Sequence, residues 1–152
     1  MPLLCTALLA CAVPCRAQEV AAATDKTVYS PAEKITITLS NNSQASVFSH
    51  AGGKTPEFAI TNCERKRSQW NWDAYRLRCP WPECEKGADA PQEIKAGKAV
   101  SFAWKPHVFR DAKDRALLPG LYRLTLIYQI KKGRGPDAWL WNTVKSNEFT
   151  VE

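Results

Sequence analysis

Histidine is scarce in this sequence, and helical periodicity is missing from it. The two histidines, His50 and His107, lie in different predicted loops with no carboxylate at a metal-ligand spacing, so we predict no metal site. No segment keeps the apolar spacing of a helix, and no internal repeat or low-complexity tract occurs. The 152 residues are therefore predicted to form one domain, long enough to bury a real core.

Recognisable catalytic motifs are also missing. No serine, histidine and acid stand in an arrangement that resembles a known nucleophile motif, and the acidic residues are scattered among polar positions. A triad that assembles only in space stays open at this point. We predict that the protein is not an enzyme and uses no cofactor.

The chain opens with an apolar run from Leu3 to Val13, which is too short to cross a bilayer, since that takes about 20 apolar residues. The run fits the core of a secretory signal peptide, with Ala17 placed for cleavage before Gln18. We predict a signal peptide at 1–17 and a domain at 18–152. The mature protein would be exported, and either periplasmic, outer-membrane-associated or secreted.

A second interpretation of the leader concerns Cys11. The segment Leu8–Cys11 resembles a bacterial lipobox, and cleavage there would leave Cys11 lipidated. Under this alternative, the lipid on Cys11 is what attaches the protein to a membrane. Lipidation of Cys11 and cleavage after Ala17 both stay open.

The net charge is basic but does not identify a partner. It is +6 for the whole chain, and removal of 1–17 takes away Arg16 and leaves +5. Such a balance improves solubility and favours acidic surfaces. The clusters at Arg65–Arg67 and Lys131–Arg134 are predicted to be solvated hairpin tips at opposite poles, not one nucleic-acid-binding stripe. We predict no nucleic-acid partner.

The clearest strand signal runs from Leu118 to Ile130. Pro119–Gly120 predicts a turn, and strict alternation follows it. Tyr122, just after this turn, resembles the tyrosine corner of immunoglobulin-like sandwiches. The alternation predicts a buried face of Tyr122, Leu124, Leu126, Tyr128 and Ile130, and a solvent face of Arg123, Thr125 and Gln129.

Further short strands are predicted along the chain, with Ile35–Leu39 and Ala99–Trp104 the most regular. About seven strands with turn signals between them favour an immunoglobulin-like antiparallel β-sandwich, an all-β fold.

The middle of the chain is predicted in less regular pieces. We expect a strand over Glu57–Asn62, a charged hairpin tip at Glu64–Arg67, and a return strand over Gln69–Tyr75 with Trp70 and Trp72 on one face. A helical turn is expected around 111–116.

Two resemblances accompany this prediction. The segments Thr24–Ser43, Pro119–Tyr122 and Ser146–Val151 resemble the opening and closing strands of bacterial immunoglobulin-like domains. The phrase Phe58–Ile60 followed by Trp70, with the Ala96–Lys98 turn before Phe102, is similar to the bacterial intracellular proteinase inhibitor family. The first resemblance implies the sandwich fold, and the second implies inhibition of a protease.

Three cysteines remain beyond the leader, Cys63, Cys79 and Cys84. Four residues, two of them prolines, separate Cys79 from Cys84, a spacing that suits a structural disulfide better than a metal clip or a redox pair. We predict a Cys79–Cys84 disulfide. Cys63 is left as a buried thiol or as a partner for something else.

Aromatic and basic residues are predicted to share one pole of the sandwich. Rigid aromatic rings at loop ends are a usual source of binding energy. The competing interpretation is that these rings pack under the loop of Cys79 and Cys84. The candidate binding pole consists of Trp81, Lys131, Lys132, Arg134, Trp139 and Trp141.

These observations lead to one expectation about function and two alternatives. We expect an exported, non-enzymatic binding module of the bacterial envelope, whose partner is a protein or an anionic glycan. The alternatives are a protease inhibitor that presents an extended loop, and a carbohydrate-binding module that uses the tryptophan pole.

Overall fold

The computed structural model describes residues 19–76, 90–106, 108–110, 113–132, 135 and 138–152. These residues form short β-strands and two 3₁₀ helices, η1 (His50–Gly52) and η2 (Pro56–Ala59), and no α-helix. The strands are β1 (Val20–Thr24), β2 (Val28–Tyr29), β3 (Ile35–Asn41), β4 (Val47–Ser49), β5 (Ile60–Lys66), β6 (Trp72–Arg76), β7 (Gln92–Ile94), β8 (Ala99–Trp104), β9 (Val108–Arg110), β10 (Lys113–Arg115), β11 (Gly120–Lys131), β12 (Trp139–Lys145) and β13 (Phe149–Val151).

The strands form two main sheets and a separate hairpin of β9 and β10. One main sheet has three strands in the order β1–β3–β8. The other has eight and is built around β11, which pairs with β12 and β13 along one side and with β4 and β5 along the other. β6, β7 and β2 extend it through β5, β4 and β13. The fold is an immunoglobulin-like β-sandwich, as predicted, with eleven strands in its two main sheets instead of about seven.

The two main sheets bury one common core. Ile35, Ile37 and Leu39 face inward from β3, because its sequence alternates apolar and polar residues. Leu124 and Leu126 of β11 are also completely buried. Burying a side chain of this size stabilises the fold by about 1.5–3 kcal/mol. The buried face predicted for β3 is confirmed, and that of β11 is confirmed at its centre, whereas Tyr128 and Ile130 are only partly buried. The prediction that Thr125 faces solvent is wrong, since only 6% of its surface is exposed.

The tyrosine corner is confirmed at the start of β11. The Tyr122 hydroxyl donates to the carbonyl oxygen of Leu118 at 2.7 Å, and burial raises the pKa of Tyr122 to about 12. Gly120 has a φ of 157°, and a Cβ there would lie 2.7 Å from Nε of Arg65. The backbone angle of the turn before β11 therefore favours glycine, whereas the guanidinium, at the end of a flexible side chain, could move away from a Cβ.

The strand predicted at Glu57–Asn62 is wrong in its first half. Phe58 lies in η2, and β5 starts at Ile60. β4 and β5 pair with the same side of β11, at Phe48↔Gln129 and Ile60↔Leu126. The residues between β4 and β5, including both 3₁₀ helices, thus connect two strands that follow one another along the same side of β11. Pro56 at the first position of η2 suits a helix start, because that position needs no N–H donor.

The predicted charged tip at Glu64–Arg67 is also wrong. Glu64, Arg65 and Lys66 lie inside β5, and the turn follows them, closed by a hydrogen bond from Arg67 N–H to Asn71 O at 2.9 Å. The return strand consequently begins at Trp72, three residues later than predicted. Trp70 lies in the turn with 83% of its surface exposed and does not share a strand face with Trp72.

One further prediction is corrected, and several lie outside the described residues. The helical turn expected around 111–116 is wrong, since Lys113–Arg115 is a strand. The signal peptide at 1–17 with Cys11, the Cys79–Cys84 pair and Trp81 all fall in the undescribed segments 1–18 and 77–89. They stay predictions.

Candidate functional site

The predicted pole is partly assembled on the outer face of the eight-stranded sheet, the face directed away from the core. Trp139 and Trp141 lie on this face of β12, opposite Lys131 and Gln129 of β11. The Trp139 ring packs edge-on against Phe48, with 4.8 Å between ring centroids, and Nζ of Lys131 lies 5.7 Å from the Trp139 ring. We call Phe48, Lys131, Trp139 and Trp141 the aromatic end.

The two tryptophans of the aromatic end differ in exposure. Trp139 is half-buried because Phe48 and Lys131 cover it, whereas Trp141 is 49% exposed. Lys132 is exposed just beyond β11, and its N–H donates to Ala138 O at 2.6 Å. Contacts within the fold therefore explain the position of the Trp139 ring, whereas about half of the Trp141 surface faces solvent.

Two members of the predicted pole, Trp81 and Arg134, lie outside the described residues. The two basic clusters do lie at opposite ends of β11, since Arg65 pairs with Tyr122 and Lys131 pairs with Trp139. The description of the first cluster as a solvated tip is wrong for Arg65, because Nη2 of Arg65 donates to Pro119 O at 2.6 Å.

A charged cluster that the sequence did not reveal lies on the same outer face, about 20 Å along β11 from the aromatic end. Arg123 was predicted to face solvent, but its guanidinium donates to the carboxylate of Glu64 and stacks 4.0 Å from the ring centroid of Trp72. Lys145 adds a second hydrogen bond to Glu64 at 3.3 Å. We call these four residues the Glu64 cluster.

Glu64 is held charged in a mostly buried position, with 12% of its side chain exposed. Burial alone would raise the pKa of Glu64, but the hydrogen bonds from Arg123 and Lys145 outweigh it and lower the pKa. The Thr125 hydroxyl donates to the other carboxylate oxygen at 3.2 Å. A carboxylate with these partners is an ordered structural anion, and it is not poised to accept a proton near neutral pH.

A shallow depression of about 510 Å³ opens beside this cluster, at the β5–β6 turn. Trp70 forms its exposed edge, and Arg67 lies 3.8 Å from Asp73 across it. An exposed ring next to amide, carboxylate and guanidinium groups can stack on a sugar and hydrogen-bond to its hydroxyls. The lining consists of Glu64, Arg67, Trp70, Asn71, Trp72, Asp73 and Arg123.

The described residues contain few groups suited to other chemistry. Within these ranges, no three histidine, cysteine, aspartate or glutamate side chains come together as metal ligands would. None of the helices that they form has the length and apolar character of a membrane span. Cys63 is unbridged and completely buried, and burial raises the pKa of its thiol to about 12, so it is a poor nucleophile.

Comparison with known proteins adds little to this geometry. No protein-family model and no curated protein matches the chain, so the similarity to the proteinase inhibitor family gains no support. Among solved structures, the chain is similar to the ASH/PapD-like domain of human CEP192 (PapD-like domain 7) over 96% of both chains, with 13% sequence identity and a TM-score of 0.29. The fold assignment rests on the sheet topology and the tyrosine corner.

Proposed function

We propose that this protein is an exported, non-enzymatic binding module whose interface is the aromatic end. The observation that carries the proposal is Trp141, a large ring that stays half-exposed beside the ordered Trp139–Phe48 pair and Lys131. Export and the bacterial envelope come from the predicted leader at 1–17.

The aromatic end is pre-organised for binding. Phe48 and Lys131 hold Trp139 in place, so a partner would not have to order that ring on binding. Trp141 then offers exposed aromatic area beside a fixed neighbour, which is typical of residues that dominate binding energy.

Charge selects the class of partner. Lys131 and Lys132 are both exposed at this end, and the whole chain carries +6. An acidic protein segment or an anionic glycan is complementary to such a surface, with the lysines increasing the association rate and the rings supplying affinity.

Replacement of Trp141 by alanine is expected to weaken binding to an acidic polymer by at least about 1–2 kcal/mol without lowering the free energy of unfolding. Titration calorimetry with polyglutamate and with polygalacturonate measures the effect for a protein and a glycan backbone. Trp70→Ala, which removes an exposed ring at the far end of the sheet, is the matched control and should leave this binding unchanged.

The result against the proposal is equally specific. If Trp141→Ala binds both polymers as tightly as the wild type, while Trp139→Ala only lowers the melting temperature, the rings are structural and the aromatic end is not an interface. Replacing Lys131 and Lys132 with glutamine should mainly slow association and flatten its salt dependence.

Carbohydrate binding is a second candidate, favoured by the exposure of Trp70 above its depression. A ring that is 83% exposed contributes little to the fold, so Trp70→Ala should change the free energy of unfolding by less than about 0.5 kcal/mol. If the depression binds sugar, this variant should lose at least about 1–2 kcal/mol of affinity for the glycan selected on an array. Unchanged affinity would exclude the depression as the sugar site, and Trp141→Ala is the control.

Protease inhibition depends on the long loop predicted over 76–92, most of which lies outside the described residues. It stays a prediction, to be tested by stoichiometric titration of a protease panel.

A further inference from the structure

We propose that the free edge of β12 accepts an extended acidic segment of a partner protein as an additional strand of the eight-stranded sheet. This inference rests on the proposed function and names its partner class. It concerns the backbone of β12, whereas the aromatic end concerns the side chains beside it.

The direction of the β12 backbone groups follows from two hydrogen bonds that flank the strand. Lys132 N–H donates to Ala138 O at 2.6 Å, and Ser146 N–H donates to Leu124 O at 2.9 Å. Hydrogen-bonded and non-hydrogen-bonded pairs alternate in an antiparallel ladder. The residues at 140, 142 and 144 therefore bond to β11, and the N–H and C=O groups of Trp139, Trp141 and Thr143 point away from it.

These outward groups have no ladder partner among the described residues, where β12 pairs with β11 alone. β1 of the other sheet lies near this side of the molecule, but it does not pair with β12. Its two hydrogen bonds here lie beyond the end of β12: Thr24 N–H donates to Asn147 Oδ1 at 2.7 Å, and Asn147 Nδ2 donates to Thr24 Oγ1 at 2.9 Å. The first five residues of β12 thus present an open template for another strand.

The edge also lacks the usual protection against strand pairing. Natural edge strands are blocked by proline, bulges or central lysines. β12 contains no proline, its register with β11 is continuous, and its one lysine, Lys145, is the last residue. Leu140 and Trp141, 44% and 49% exposed, lie on opposite faces of the strand and would both contact an added strand.

Charge at both ends of the edge identifies the occupant. Lys131 and Lys132 lie at the end where β12 begins, and Lys145, whose side chain is 51% exposed, lies where it finishes. A segment with acidic side chains would meet a cation at each end. A second copy of this chain would bring its own lysines to the same edge, where like charges oppose pairing.

The experiment separates backbone pairing from side-chain contact. The probe is a synthetic peptide of alternating glutamate and valine, long enough to lie along all of β12, titrated by calorimetry. Thr143→Pro removes an outward N–H without removing a bond to β11, and proline is tolerated at such edge positions. We expect it to weaken binding about tenfold or more, while Thr143→Val, which keeps the N–H, stays within about twofold of the wild type.

A second measurement leaves the protein unchanged, in case Thr143→Pro lowers the melting temperature. The same peptide, methylated on alternate backbone nitrogens, keeps its charge but loses its donors to β12, and we expect it to bind at least about tenfold more weakly. A version with lysine in place of glutamate should not bind.

Four results overturn the proposal. The first two concern the peptide: the acidic peptide does not bind, or the methylated peptide binds as tightly as its parent. The third is that polygalacturonate binds and the peptide does not. The fourth is that the free protein forms a concentration-dependent dimer, which Thr143→Pro abolishes. If Trp141→Ala still weakens polymer binding in these cases, the proposed function stands without the edge. If Trp141→Ala leaves polymer binding unchanged in these cases, the aromatic end and the β12 edge both fail as binding sites.

Discussion

Replacing Leu124 with alanine should reduce the free energy of unfolding by about 2–5 kcal/mol, the largest single effect that we expect in this protein. Leu124 has no exposed surface and lies at the centre of β11, opposite Cys63 of β5. The backbone on the other side of β11 is also occupied, since Ser146 N–H, just after β12, donates to Leu124 O at 2.9 Å. Neighbours held on both sides can relax only partly into the space. The loss therefore combines the transfer of the side chain with a cavity.

Urea unfolding of wild type and variant measures this difference. Leu140→Ala is the matched control, because it makes the same chemical change on the adjacent strand at a position that is 44% exposed, and it should lose well under half as much. Similar losses for the two variants would show that the buried face of β11 has been assigned incorrectly.

Replacing Arg123 with alanine should destabilise the protein by about 2–3 kcal/mol at neutral pH. The change removes a charge-assisted hydrogen bond to Glu64, for which about 1.5–3 kcal/mol is typical, and the stacking of the guanidinium on Trp72, which adds a smaller amount. Lys145 remains beside Glu64, so the carboxylate keeps one cationic partner and the loss is smaller than for an unpaired buried charge.

The effect should depend on pH in a defined direction. The folded state lowers the pKa of Glu64 below the ordinary value of 4.5, so the stability that the charged form contributes is present above 4.5 and disappears as the pH falls through the lowered pKa. The difference between wild type and Arg123→Ala should accordingly shrink in acid. Other carboxylates titrate there too, including Asp25, but they are common to both proteins and cancel in the comparison.

Arg67→Ala is the control for this second prediction. The Arg67 side chain is 75% exposed, with its Nε 3.8 Å from Asp73, and its removal should change stability by about 0.5 kcal/mol or less at any pH. Equal losses for the two arginine variants, or an Arg123 loss that stays constant into acid, would contradict the role given to the Glu64 cluster.

Periodicity was sufficient to predict the centre of this fold. The alternation in β11 identified Leu124 and Leu126 as buried, and the Pro119–Gly120 turn placed Tyr122 correctly for a tyrosine corner. Both signals are local: each depends on residues within a few positions of one another.

What the sequence could not predict depends on residues from distant strands. The run Glu64–Arg67 looked like a hairpin tip because it is charged, yet most of it is strand, since its backbone pairs with β11 and β6 and its charges meet Arg123, Lys145 and Glu148. A signal was available in retrospect, since Arg123 interrupts an otherwise weakly charged strand, but no spacing rule links it to Glu64. Phe48, which orders Trp139, likewise reaches it from β4.

The pairing of β2 with β13 affects the order in which the chain can fold. These strands pair in parallel and join residues 28–29 to residues 150–151, with the Thr24 N–H bonded to a side chain 123 positions away. Tyr29 is buried by the Phe149 ring, whose centroid lies 5.6 Å from its own. Because synthesis proceeds from the amino end, Tyr29 stays uncovered until Phe149 has been made, so the pairing of β2 with β13 is a late step of folding.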